Sequence, residues 1–101
     1  MTTTDTIRLA SEALAELDQI RASQPEIVNL TAGPRLILSR ALEIAARQPP
    51  ATAAASVRGS AGLAGTVIAG ALARRVDLRN VADGRLRDVA SALVSISMVQ
   101  P

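Results

Sequence analysis

Apolar residues recur every three or four positions through most of this chain, and that period is the signature of amphipathic helix. From Asp5 to Ala22, Ile7, Leu9, Ala10, Ala13, Leu14, Leu17 and Ile20 share one face. Arg8, Ser11, Glu12, Glu16, Asp18 and Gln19 fall on the other. Thr4 or Asp5 suits the N-cap, and Ser23-Gln24-Pro25 ends the segment. A second helix is expected from Pro34 to Arg47, with Gly33 as a C-cap for what precedes it and Pro34 in its first turn. It should bury Ile37, Leu38, Ala41, Leu42, Ile44 and Ala45, leaving Glu43, Arg47 and a single apolar Leu36 on the wet side. Gln48-Pro49-Pro50 stops it, and Ala51 to Ala55 is either linker or the first turn of the next element.

The third segment breaks the amphipathic rule. Between Arg58 and Arg75 the chain reads Gly-Ser-Ala-Gly-Leu-Ala-Gly-Thr-Val-Ile-Ala-Gly-Ala-Leu-Ala, then Arg74. On a helix, Ala55, Gly59, Gly62, Thr66, Ala69 and Ala73 form a stripe of small residues. Val57, Ala64, Ile68 and Leu72 lie opposite, with Leu63 and Val67 on a flank. A helix apolar all round is a central one, packed by neighbours on more than one side. Each interior glycine costs about 1 kcal/mol relative to alanine, so several of them imply another backbone very close by.

The last segment begins near Asp77 or Asp83 and runs to about Val99, with Leu86, Val89, Ala90, Leu93, Val94 and Ile96 on one face. Two stretches admit a competing period. Glu26–Leu30 fits a turn or two of helix or a short strand, and Val94–Val99 alternates apolar and polar residues as a strand does. The expected fold is therefore all-α: one compact four-helix, bundle-like domain over residues 1–101, with the Gly/Ala-rich third helix buried. If both ambiguous stretches are strands, the fold is α+β instead.

Composition sharpens this picture. The chain has 101 residues and no Phe, Tyr or Trp, so its core must be built from Ala, Leu, Val and Ile. Small side chains fill space only where backbones approach closely, which helices achieve more readily than stacked sheets. Cysteine and histidine are both absent. That removes disulfides, thiol nucleophiles, Cys/His zinc sites and the usual neutral-pH proton shuttle, and no metal or cofactor is expected. All 11 basic residues are Arg, which with the abundant Ala and Gly reflects a GC-rich genome rather than a chemical choice; net charge is only +2. The opening Met-Thr-Thr-Thr-Asp-Thr lacks the basic and apolar regions of a secretory signal, so a cytoplasmic protein is expected.

Other readings of the glycine-rich run fit less well. As a phosphate loop, Gly59 to Gly65 matches neither the dinucleotide nor the Walker A spacing, although Arg58 stands beside it. As a membrane span, fifteen uncharged residues reach about 22 Å, short of the ~30 Å hydrocarbon core. Catalysis has little to work with: Glu12 and Glu16 are one turn apart on the wet face, and no Ser or Thr has a histidine base.

Nucleic acid is the sharper alternative. Arg74, Arg75, Arg79, Arg85 and Arg87 cluster with only Asp77 and Asp83 against them. Leu72, Ala73, Val76, Leu78 and Leu86 occupy positions a helix-turn-helix wants apolar or small. Against it, Asp77 replaces the usual turn glycine and Asp83 falls on a buried position. The same arginines would serve an Arg-lined pocket for an anionic ligand. The function expected from the residues is a small helical interaction or assembly subunit that associates with itself. Its interface residues would be Gly62, Thr66, Ala69 and Ala73, with Leu36 and Met98 as outlying apolar residues.

Overall fold

The computed structural model describes residues 3–74 and 84–98. Within them the chain forms four α-helices and no strand: α1 (Thr3–Ser23), α2 (Val28–Ala45), α3 (Pro50–Arg74) and α4 (Arg85–Ser97). The all-α expectation holds, and the α+β alternative does not. Pro25–Ile27 is a single 3-10 turn that leads directly into α2. Val94 to Ser97 is helical because burial follows the helical period: Leu86, Val89, Ala90, Leu93 and Ile96 are buried. A strand would have placed Met98 beside Ile96, yet Met98 is 70% exposed. Val99 lies outside the described residues.

The second helix departs from the expected boundaries. It begins at Val28 and passes through Gly33-Pro34 instead of restarting there. A residue before proline normally avoids helical geometry because its Cβ and N–H crowd the proline ring. Gly33 has no Cβ, which removes part of that clash. Pro34 is itself buried, in register with Thr31, Leu38, Ala41 and Ala45, and this burial offsets the hydrogen bond it cannot make. The buried Thr31 hydroxyl donates to the Ile27 carbonyl at 2.7 Å and accepts from Arg21 Nε at 3.0 Å, joining the end of α1 to the start of α2. Arg35 reinforces that joint with an ion pair to Asp18 at 2.6 Å. At its other end α2 stops at Ala45, short of Arg47, and Ile44 is 43% exposed rather than in the core.

Residues Ala51 to Ala55 belong to α3, which opens with Pro50 in a position where its missing N–H is no loss. The fourth helix runs from Arg85, and Asp77 and Asp83, the expected places for its start, lie outside the described residues. Gly84, at φ 82°, makes the left-handed turn that admits it, and the Asp88 amide bonds the Gly84 carbonyl at 2.9 Å.

Helix α3 is the centre of the molecule. It packs against α2 on one flank and α4 on the other, and α1 touches all three. Its 25 residues span about 37 Å, most of the 42 Å long axis. Ala53, Val57, Ala61, Ala64, Ile68 and Leu72 meet Leu17, Ile20, Leu38, Leu86 and Leu93 in one continuous core. The glycines decide how closely α4 lies. A Cβ on Gly65 would stand 2.8 Å from the Ala90 carbonyl oxygen and 3.0 Å from Leu93 Cβ. One on Gly62 would stand 2.6 Å from Ser97 Cβ.

We therefore expect Gly65→Ala to destabilise the fold by about 2 kcal/mol through overpacking against backbone that cannot yield. Urea unfolding followed by circular dichroism measures this. An unchanged or raised midpoint would contradict the close approach.

Candidate functional site

Two surfaces stand out. The first is a groove between α1 and α4 with a volume of about 560 Å³. Both helices contribute an edge at helical spacing: Leu9, Glu12, Ala13 and Glu16 from α1, and Arg85, Asp88, Val89, Ala92, Ser95 and Ile96 from α4. Ala13 and Ala92 are too small to fill the space between the helices, which is why it stays open. The floor is apolar and the rim charged. Arg85 closes one end by donating from Nε and Nη2 to a single oxygen of Glu16, at 2.8 and 2.6 Å.

Three carboxylates (Glu12, Glu16, Asp88) against one guanidinium leave the lining with an excess of two negative charges, although the whole chain is +2. Arg8, which reaches Glu12 at 3.3 Å, is shared with Asp5 at 3.2 Å. The Asp5 hydrogen bond and then the charge of Glu12 push the Arg8 guanidinium further above its ordinary range. In the same way, the Asp18 hydrogen bond and charge raise Arg35. Both pairs lie at the surface, where solvent screens them.

The second surface is the outer face of α3. Because α1 covers only one side of the α2–α3–α4 layer, Leu63 remains 54% exposed and Val67 38%. Gly59, Thr66 and Gly70 share this face with them. Among the described residues, a Cβ on Gly59 would meet nothing within 4 Å, and one on Gly70 only the Arg74 guanidinium at 3.5 Å. Among the described residues nothing requires either glycine, unlike Gly62 and Gly65.

The residues singled out in the sequence divide accordingly. Gly62 faces Ser97 within the molecule. Thr66, Ala69 and Ala73 are exposed, with Ala69 at the edge of a smaller cleft beside Ala90 and Val94. Leu36, 60% exposed, lies on the outside of α2, and Met98 at the end of α4. Of the arginines, Arg74 is exposed at the end of α3, while Arg75 and Arg79 lie outside the described residues together with Asp77 and Asp83. Arg85 and Arg87 are two residues apart and so project from opposite flanks of α4, one to the α1 groove and the other to the α3–α4 cleft. Most of the stretch that carries the helix-turn-helix reading, residues 75–83, is outside the described residues.

No helix among the described residues is long and apolar enough to cross a membrane. Comparison with family models, with curated proteins and with solved structures finds no match.

The Glu16–Arg85 pair could not be read from sequence, because the two residues are 69 positions apart and only tertiary packing joins them. Its side chains are 41% and 44% exposed, so solvent screens it. A double-mutant cycle of Glu16→Ala and Arg85→Ala should return a coupling of less than about 1 kcal/mol that shrinks as salt is added. A salt-independent coupling well above that would mean the pair is far drier than its exposure implies.

Proposed function

We propose that this protein is a small helical assembly subunit whose outer α3 face packs against the same face of a second copy. One observation carries the reading: Gly59 and Gly70 flank the exposed Leu63 and Val67, yet nothing among the described residues needs a glycine there. Glycine in a solvent-facing helix sacrifices about 1 kcal/mol relative to alanine. A helix arriving from outside turns that loss into close backbone contact, as small-residue stripes do elsewhere. Knobs (Leu63, Val67) and hollows (Gly59, Thr66, Gly70) on one face are also self-complementary. Two-fold pairing requires that, since each copy offers the other an identical patch. Thr66 and Ala73 belong to this surface, whereas Gly62 belongs to the α3–α4 contact.

Light scattering across micromolar concentrations tests it. The average mass should exceed that of one chain, and Leu63→Glu should lower it by placing like charges at the centre of the contact. Gly59→Ala separates the two possible roles of that glycine. It should weaken association while raising the unfolding midpoint of the dissociated chain by the equivalent of about 1 kcal/mol. A single-chain mass throughout, or a mass indifferent to Leu63→Glu, would overturn the reading.

A further inference from the structure

We infer that the α1–α4 groove receives the outer strip of α2 from another copy of this chain, in a head-to-tail contact. The inference rests on the self-association proposed above and assigns a second, different pair of surfaces to it. The strip is Leu36, Arg40 and Ile44, which fall within one quarter of the helical circumference on the outside of α2, with Arg47 in the turn just past its end. Leu36 is 60% and Ile44 43% exposed, and among the described residues Arg40 and Arg47 have no ion-pair partner. The only carboxylate within α2 is Glu43. Glu43 is exposed on the same side, so the strip is apolar knobs bordered by two positive charges against one negative.

The groove is its complement in three respects. Its floor, made of Leu9, Ala13, Val89, Ala92 and Ile96, is apolar. Its rim has an excess of negative charge, with Asp88 unpaired among the described residues and Glu12 exposed. Its length is comparable: the α4 edge from Arg85 to Ile96 runs about 16 Å, and Leu36 to Ile44 about 12 Å at helical rise, with Arg47 in the turn beyond. Two parallel helix edges with a trench between them accept a third helix by ridges-into-grooves packing. A small molecule would be poorly held there, because most of the rim is exposed and a bound ligand would not be enclosed.

The strip cannot reach its own groove. Helices α2 and α4 lie on opposite flanks of α3, so the contact must join two copies. Since strip and groove are different surfaces, the contact is heterologous and propagates into a ring or an open string of subunits. Combined with two-fold pairing through α3, it produces particles larger than a dimer.

The test is a charge swap read by light scattering. The unaltered chain should exceed dimer mass at high micromolar concentration. Arg40→Glu and Asp88→Arg, each at an exposed site, should each weaken the larger species by about tenfold or more, because a like-charge pair costs at least 1.4 kcal/mol. Circular dichroism should show both variants folded. Mixing the two variants should restore the larger species, since each then offers the other an opposite charge.

An unaltered chain that stops at dimer, variants that leave the size distribution unchanged, or a mixture that restores nothing would each overturn the inference. The two readings fail separately. Leu63→Glu abolishes α3 pairing and leaves the charge-swap rescue intact, whereas loss of the rescue with α3 pairing preserved removes the groove contact alone.

Discussion

The close approach of α3 and α4 is the constraint on which this molecule depends. With no aromatic side chain available, the core is made of Ala, Leu, Val and Ile, and none of these can bridge a wide gap. The helices must therefore come to the core rather than the reverse. Gly62 and Gly65 allow it, because any side chain there would collide with Ser97 or with the backbone at Ala90. Once α4 is seated, Leu86, Val89, Leu93 and Ile96 are buried almost completely, and α1 can lie across the joint. The glycines sacrifice helix propensity, and the packing they admit restores it through apolar burial of about 25 cal/mol per Å².

That solution has a geometric consequence. Three helices side by side present two faces, and a single remaining helix covers only one. The central helix, apolar on both sides, is left with Leu63 and Val67 in solvent. The groove between α1 and α4 has a related origin, since the alanines at positions 13 and 92 are too small to fill the space between the helix edges. Exposed apolar surface with defined relief is the usual mark of an interaction site. Here both surfaces arise from the same shortage of large side chains.

Much of the fold was legible in the sequence, and the exceptions have physical causes. Periodicity located α1 and most of α4 because each buries one clear stripe. It failed at Gly33-Pro34, where the local punctuation says stop. Burial of Pro34 and the absence of a Cβ on Gly33 say continue, and tertiary packing wins. The strand-like alternation at Val94–Val99 left a second reading open for a different reason. Two periods coincide over so short a stretch, and only the burial of Leu93 and Ile96 decides between them. Of the surfaces, the glycine stripe was visible as a whole, but not its division into residues facing α4 and residues facing outward. The groove was invisible, because Glu16 meets Arg85 only when the ends of the chain fold together.

The central claim is that α3 serves two close neighbours, one inside the chain and one outside it. Isotope-filtered nuclear Overhauser spectroscopy on an equal mixture of labelled and unlabelled chains addresses it most directly. The Leu63 and Val67 methyls should give cross-peaks to the unlabelled chain, while the Val57 and Leu93 methyls give none. Intermolecular peaks absent at Leu63 and Val67, under conditions where the chain is concentrated and folded, would contradict the account.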